Sequence, residues 1–211
     1  MLVIDAGDRK GLQLAARRIT EGEIVALPTD TVYGLACDGF NQNAVARIYQ
    51  IKRRSEKKPL VLFVSDVSQA RLFAEVSDLA QKLMRQFWPG PLTLVCRASD
   101  TVPPWLRSGE TVALRIPDHP IPLELVKTTK TPLATTSANL SGQPPATSAP
   151  QVVAALSDEI ALVIDAGPSP LAHPSTILDA TGPYPRILRQ GALAKEIQEA
   201  IADLWSKSGD Y

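Results

Sequence analysis

The sequence predicts an α/β fold in which helices flank a twisted mixed sheet, with both parallel and antiparallel strands. Apolar residues recur at helical spacing in three segments, and short apolar runs bounded by turn residues lie between and after them. Helices alternate with strands through the first two-thirds of the chain, whereas residues 92–116 and 176–188 place strands in succession. That order favours crossovers in one part of the sheet and hairpins in another.

The individual elements follow from these patterns. Apolar residues three and four positions apart predict helices over 12–19, 79–87 and 193–205, and residues 42–51 are interpreted as a further helix. Short apolar runs predict strands at 24–27, 60–64, 92–95, 112–116, 133–136, 160–164, 176–179 and 186–188. Many of the 18 prolines lie beside these runs, because a residue without an N–H donor ends an element.

The composition narrows the function. The 211 residues include 22 Lys and Arg against 22 Asp and Glu, and 45% of the chain is apolar. A net charge of zero excludes nucleic-acid binding through a positive field over the whole surface, and the apolar content excludes a disordered tail. A chain of about 200 residues can bury one sizeable core. We therefore expect a single domain over 1–211 and no second domain.

The sequence also suggests where the protein resides. Its longest apolar runs have five residues, far fewer than the roughly 20 that a membrane-spanning helix needs. No basic segment followed by an apolar segment marks a signal peptide at the start, so we expect a cytoplasmic protein that contacts no membrane. Cys37, Cys96, His119 and His173 form no metal-binding motif, and no residue is predicted to bind a metal.

A cluster of cations is the strongest charge feature. The sequence contains neither Gly-x-x-x-x-Gly-Lys-Ser/Thr nor Gly-x-Gly-x-x-Gly, so any phosphate site must be built without these loops. Residues 52–58 carry five cations in seven positions, directly after the helix predicted over 42–51. The segment is either a solvated loop at a helix C-terminus or a cradle for a polyanion, and its place beside a strand favours the cradle.

Polar side chains gather where predicted strands meet loops. Residues 135–142 hold hydroxyl and amide groups that either satisfy their own turn or donate to an oxyanion. Ser175 lies where a proline-rich loop leads into a strand. It is either part of a binding site or an ordinary residue at the edge of a strand. Arg115 and Arg189 lie in apolar strands, where a guanidinium is costly unless an anion meets it. Residues 28–35, taken alone, are interpreted as an ordinary loop, and the long loop 139–150 is our candidate lid.

Six ordered motifs resemble the YrdC-like family, and the resemblance covers about residues 10–195. They are Pro28-Thr29-Asp30-Thr31-Val32-Tyr33-Gly34-Leu35, Lys52-x-Arg54 with Lys58-Pro59-Leu60, Leu114-Arg115-Ile116-Pro117 followed by His119, Ser137-x-Asn139, Pro174-Ser175-Thr176-Ile177, and Leu188-Arg189-x-Gly191. The resemblance implies the single-domain form of the family, with a twisted mixed sheet around a large, basic, concave cavity.

The well-studied members of that family are L-threonylcarbamoyladenylate synthases. The resemblance therefore implies a nucleotidyltransferase that joins L-threonine, bicarbonate and ATP into threonylcarbamoyl-AMP and releases pyrophosphate, with Mg²⁺ accompanying the ATP. It also implies a hand-over of the product to the tRNA threonylcarbamoyl transferase, for the N6-threonylcarbamoyladenosine modification of tRNA.

The resemblance further implies the site residues. Catalytic roles fall to Lys52 and Arg54. ATP binding falls to Arg54, Lys58, Thr111, Ser137, Asn139, Pro145 and Arg189, and L-threonine binding to Thr31, Arg115, Thr135 and Ser175. Where some members have a histidine that contacts threonine, this chain has Phe63 or its neighbour, so the resemblance leaves that contact open. Arg53 and Lys57 are additional cations without an assigned role.

Two other functions remain open at this stage. One is an RNA-binding module that uses a basic concave surface, although only 5% of the residues are aromatic and few of them lie near the cations, which leaves little for base stacking. The other is a related enzyme that forms a carbamoyl adenylate, as in hydrogenase-maturation proteins. Those domains usually belong to longer chains with zinc-binding modules, which this sequence lacks.

Overall fold

The computed structural model describes residues 1–55, 58–156 and 158–206. In these ranges the strands are β1 (Leu2–Asp5), β2 (Val25–Leu27), β3 (Gly34–Asp38), β4 (Val61–Phe63), β5 (Ala74–Glu75), β6 (Leu92–Ala98), β7 (Thr111–Arg115), β8 (Leu133–Ser137), β9 (Leu162–Asp165), β10 (Thr176–Asp179) and β11 (Arg186–Arg189). The helices are α1 (Arg9–Thr20), α2 (Gln42–Lys52), α3 (Val67–Phe73), α4 (Asp78–Phe87), α5 (Pro120–Thr129), α6 (Ala149–Leu156) and α7 (Ala194–Ser206).

The strands form one mixed sheet in the order β1-β9-β2-β3-β8-β4-β7-β6-β10-β11, and the short β5 pairs with part of β6. β4 and β7 run parallel, as do β6 and β10, whereas β3, β8 and β4 are joined antiparallel. The predicted hairpins are also present, because β6 pairs antiparallel with β7 and β10 with β11. The α/β class and the mixed sheet are therefore confirmed.

Apolar residues cover both faces of the sheet. On one face, Leu12 and Ile19 of α1 and Leu125 of α5 pack on alternate strand residues. The opposite face carries a larger core, to which α2, α4, α6 and α7 contribute. α1 and α5 cover only part of the first face, and the functional cavity lies over the remainder of that face.

Every predicted helix and strand has a counterpart, but several elements were not predicted. β3 begins at Gly34, so the segment interpreted as a loop over 28–35 is a loop only up to that point. α5 has prolines in its first turn, where the missing N–H groups are not needed, and His119 Nδ1 accepts a bond from Ile121 N at 3.2 Å. β1, β5, α3 and α6 were also missed. The side chain of Trp205, part of the predicted helical pattern, lies outside the described part of the chain.

The proposed lid is tied to the body of the protein. α6 begins at Ala149, inside the segment expected to be a loop over 139–150. Before it, Ala146 N donates to Ala138 O, and Tyr33 N donates to Ala146 O. These backbone hydrogen bonds attach residue 146, in the second half of the segment, to the residues next to β3 and β8. The geometry of the segment therefore does not favour a lid. Within the described ranges, no helix has both the length and the apolar character that crossing a membrane requires.

Candidate functional site

A cavity opens on the partly uncovered face of the sheet. It encloses about 630 Å³ of space between protein atoms, a volume that includes open solvent at its mouth. Side chains on a strand alternate between faces, so residues two apart share a face. That alternation brings the following strand residues to the wall of one cavity: Val61 and Phe63 from β4, Thr93 from β6, Arg115 from β7, Thr135 and Ser137 from β8, Ile177 from β10 and Arg189 from β11.

Arg115 lies at the buried wall of the cavity and is held from three sides. Nη2 donates to Asp30 Oδ1 at 2.6 Å, Nη1 to Thr31 Oγ1 at 2.9 Å, and Nε to Gly90 O at 2.9 Å. Burial lowers the pKa of Arg115, and the charge of Asp30 opposes that shift. A guanidinium has five N–H donors, so two remain for a ligand.

Arg54 enters the cavity from the turn that follows α2. Nη1 donates to Thr136 Oγ1 at 2.7 Å and Nη2 to Pro59 O at 3.1 Å. Its Nε is buried without a hydrogen-bond partner among the described residues, and burial lowers the pKa of the side chain. Among the residues that the structure describes, Arg54 forms no ion pair with a carboxylate.

Arg189 comes from the opposite edge of the cavity. Nη2 donates to Ser175 O at 2.7 Å and to Ser175 Oγ at 3.2 Å, and that hydroxyl shares a 2.8 Å hydrogen bond with Thr93. Partial burial lowers the pKa of Arg189, and the positive charges of Arg115 and Arg54 lower it further. Arg189 also lacks a carboxylate partner in the described ranges. Three guanidiniums that repel one another in a single cavity are typical of a site that binds an anion.

A glycine permits this arrangement. A Cβ at Gly191 would collide with the carbonyl of Pro174 and with the backbone of Ser175. Only glycine therefore lets the chain after β11 pack closely beside the segment that holds Arg189. Gly191 N donates to Thr176 Oγ1 at 3.0 Å, so Thr176 fixes the backbone there and does not line the cavity.

The side chain of Lys52 is buried inside the protein, although we expected it to contact a ligand. Its side chain is 2% exposed, and Nζ donates to Ser137 O at 2.5 Å, Asn139 O at 2.7 Å and Asn139 Oδ1 at 2.9 Å. Burial, together with the charge of Arg54, lowers the pKa of Lys52 to about 8. All three donors of the ammonium are thus used within the protein. The expectation that Lys52 faces the ligand is corrected: it clamps the turn after β8, and its catalytic role stays a prediction.

Asn139 belongs to the same clamp. Its Oδ1 accepts from Ser137 Oγ at 2.6 Å, and its Nδ2 donates to Leu140 O and Gln143 O. The side chain is therefore fully engaged in shaping the turn that presents Ser137 to the cavity. Asn139 itself is not among the residues that line the cavity, so direct ATP binding by Asn139 stays a prediction.

Three other predicted residues lie apart from the cavity wall. Lys58 is exposed, next to Pro59, which lines the cavity. Thr111 shares the face of Arg115 but lies four residues away at the other end of β7, about 13 Å along the strand. Pro145 lines a neighbouring groove between the turn after β8 and α6. Arg53 is exposed, and Lys57 lies outside the described residues.

Sequence reasoning missed several residues of the site. Asp30 was quoted only within a motif, and Thr93 was not singled out, although a threonine inside a fully buried apolar strand is a detectable signal. Phe63 contacts Arg115, because the Arg115 Cζ lies 5.7 Å from the centre of the Phe63 ring. Within the described ranges, no cluster of three or more His, Cys, Asp or Glu side chains is suited to bind a metal.

Comparison with known proteins places the fold in a family. The Sua5/YciO/YrdC family model, described as telomere recombination, matches residues 17–191. The chain therefore belongs to the Sua5/YciO/YrdC family. The threonylcarbamoyl-AMP synthase of Bacillus subtilis is 42% identical over 89% of this chain and 55% of its own length. That of Vibrio cholerae is 38% identical over 86% of this chain and 98% of its own length.

A solved structure extends the comparison. Sua5 of Pyrococcus abyssi, crystallised with L-threonine, matches 95% of this chain and 61% of its own chain, with a TM-score of 0.91 at 38% sequence identity. The chain thus spans little more than half the length of the B. subtilis relative and nearly all of the V. cholerae relative.

Proposed function

We propose that the protein makes threonylcarbamoyl-AMP from L-threonine, bicarbonate and ATP and releases pyrophosphate. The observation that carries the proposal is one cavity in which Arg54 and Arg189, without carboxylate partners in the described ranges, face Arg115 and a set of hydroxyls. Free guanidiniums bind phosphate oxygens in pairs, and hydroxyls complete such sites. The names of the relatives support the same reaction.

The reaction brings several anions together. The amine of threonine and bicarbonate condense to N-carboxy-threonine and water. A carbamate oxygen then attacks the α-phosphorus of ATP, the bond from that phosphorus to the bridging oxygen breaks, and pyrophosphate leaves. Such a displacement needs positioning and charge neutralisation more than covalent help from the protein.

The predicted residues can be assigned to these tasks. Arg54, Arg189 and the exposed Lys58 bind the phosphates, together with Ser137, which lines the same cavity as the two arginines. The two remaining N–H donors of Arg115 bind the carboxylate of threonine, with the hydroxyls of Thr31, Thr135 and Ser175 around it. Lys52 acts indirectly, by fixing the turn that carries Ser137.

Magnesium belongs to the substrate in this proposal. In the described part of the chain, the residues that line the cavity include no Asp or Glu. The carboxylate of Asp30 is already bonded to Arg115, and the described residues offer no acidic cluster for a cation. Phosphate oxygens of ATP then supply the ligands of Mg²⁺, so the ion enters and leaves with the nucleotide and pyrophosphate. The adenylate would pass to a tRNA threonylcarbamoyl transferase, which uses the activated carbonyl.

The test is product formation with pure protein. Incubation with L-threonine, bicarbonate and MgATP should give threonylcarbamoyl-AMP by mass spectrometry, and pyrophosphate in equal amount. Omission of threonine or bicarbonate should abolish both products. Pyrophosphate release that does not depend on threonine contradicts the proposal, and release that requires carbamoyl phosphate instead indicates a carbamoyl-adenylate enzyme. Tight RNA binding that saturating ATP does not weaken indicates an RNA-binding module.

A further inference from the structure

The cavity contains two kinds of guanidinium. Arg115 forms an ion pair with Asp30 at 2.6 Å, and the two side chains are only 4% and 7% exposed. Arg54 and Arg189 have no such partner in the part of the chain that the structure describes. The three cations line one space, yet within the described ranges a carboxylate neutralises only Arg115.

The pairing is costly enough to require a reason. Asp30 Oδ1 accepts from Arg115, but Oδ2 is buried without a hydrogen-bond partner in the described structure. A buried carboxylate that served only to stabilise the fold would be expected to have both oxygens satisfied, because an unpaired buried polar atom is destabilising. Arg115 already has Thr31 Oγ1 and Gly90 O as acceptors, so its orientation does not depend on Asp30 alone.

The charge of Asp30 changes which ligand Arg115 attracts. A neutral ion pair exerts little net pull on an ion with several negative charges, whereas a bare guanidinium in a buried site attracts it strongly. A single carboxylate that brings its own ammonium group can still bind the two free N–H donors of Arg115. Its approach to the pair adds no net charge to the buried end of the cavity.

We propose that Asp30 is a specificity-determining residue that excludes phosphate and pyrophosphate groups from Arg115 and reserves it for the carboxylate of an amino acid. Asp30 acts through Arg115, so it is a positioning residue. The inference rests on the proposed function in that the two ligands are an amino acid and a nucleoside triphosphate. Without Asp30, three cations would compete for the same polyanion, and the product pyrophosphate would occupy the amino-acid subsite.

The probes are pyrophosphate and L-threonine, and the measurement is isothermal titration calorimetry. We expect the wild type to bind one pyrophosphate and to bind L-threonine with an affinity that pyrophosphate leaves unchanged. Asp30→Asn removes the charge at nearly constant shape, and we expect it to bind a second pyrophosphate that raises the apparent Kd for L-threonine by about tenfold or more. Asp30→Glu keeps the charge and should behave as the wild type in the number of pyrophosphates bound.

A further variant separates charge from geometry. Thr31→Val removes the hydroxyl that accepts from Arg115 Nη1 but leaves the ion pair. It should weaken L-threonine binding without creating a second pyrophosphate site. A second site in Thr31→Val, or a single site in folded Asp30→Asn, overturns the inference. If Asp30→Asn does not fold, the wild type decides the matter, since competitive displacement of L-threonine by pyrophosphate overturns the inference and independent binding supports it.

These titrations need no turnover, so they fail separately from the proposed reaction. A wild type that excludes pyrophosphate from Arg115 but makes no adenylate overturns only the proposed function. A wild type that makes the adenylate, beside an Asp30→Asn variant with one pyrophosphate site, overturns only the role of Asp30. L-threonine that fails to bind the wild type contradicts the proposed function, and the number of bound pyrophosphates still decides the role of Asp30.

Discussion

Replacement of Lys52 by Met is expected to lower the free energy of unfolding by about 3 kcal/mol. Methionine keeps an unbranched side chain of similar length and removes only the ammonium group. The three hydrogen bonds to Ser137 O, Asn139 O and Asn139 Oδ1 are lost together. Two of these acceptors keep another hydrogen bond in the variant, because Asn139 N donates to Ser137 O and Ser137 Oγ donates to Asn139 Oδ1. Asn139 O is therefore the acceptor that the substitution affects most.

The magnitude comes from two opposing contributions. Hydrogen bonds from a charged donor contribute about 1.5–3 kcal/mol each, which favours the wild type. Against them stands the cost of burying the ammonium, visible as a pKa of about 8 in place of 10.5 for Lys52. The Met variant no longer has that cost, which offsets part of the hydrogen-bond contribution in the wild type. The remainder, about 3 kcal/mol, should lower Tm by about 10 °C in a domain of this size.

Urea denaturation at pH 7, followed by circular dichroism, measures this loss directly. Lys58→Met is the matched control, because Lys58 is an exposed lysine of the same basic segment, and its variant should stay within about 0.5 kcal/mol of the wild type. A Lys52→Met variant with the unfolding midpoint of the control would refute the clamp. It would mean that the three hydrogen bonds do no more than offset the burial of the charge.

Three further changes test the cavity and the clamp. Arg54→Ala should lower kcat/KM for adenylate formation by about 100-fold or more, since a phosphate contact is lost, while stability changes little, as measured by threonine-dependent pyrophosphate release and thermal melting. Phe63→Leu should raise KM for L-threonine by about tenfold and leave KM for ATP unchanged, because the ring supports Arg115. Between pH 8 and 10.5 the unfolded chain binds more protons at Lys52 than the folded chain, so the stability of the wild type relative to Lys52→Met should rise with pH in urea titrations.

Each of these results has a contrary outcome. Arg53→Ala removes a neighbouring exposed cation and is the control for Arg54→Ala, so equal losses in the two variants would indicate a diffuse charge effect. An equal rise in both KM values for Phe63→Leu would indicate general damage to the cavity wall. A stability difference between wild type and Lys52→Met that is flat from pH 8 to 10.5 would show that Lys52 keeps its ordinary pKa in the fold, and one that falls would show that the fold raises this pKa.

Much of the fold could be predicted from the sequence, because the spacing of apolar residues along a segment indicates which of its faces is buried. The pattern of Leu79, Leu83 and Phe87 predicts α4 almost to its boundaries. β3 was missed because its polar approach, Thr29 to Tyr33, looks like a loop until tertiary contacts define it, and α5 was missed because two prolines obscure its first turn. Short elements such as α3 carry too few repeats to stand out from the background.

The site was harder to predict, because the sequence shows which residues are charged but not where their side chains point. Lys52 was expected to face a ligand with the other cations of its segment. Its spacing of four from the buried Ile48 was the available signal that it lies on the inner face of α2. The pairing of Asp30 with Arg115 spans 85 positions and depends on which strands become neighbours, so no local pattern contains it.

The sheet order has a consequence for the time at which the cavity can exist during synthesis. β10 lies beside β6, and the hydroxyls of Thr93 and Ser175 meet across 82 positions of sequence. A nascent chain that has emerged from the ribosome only to the end of β9 already has Arg115 but leaves one edge of β6 without its partner strand. Such an edge is prone to pair with another chain. Translation must therefore pass Arg189 before the protein has its third cavity cation and can cover that edge of β6. Mutations that slow the docking of β10 should reduce the soluble yield before they reduce the activity of the folded fraction.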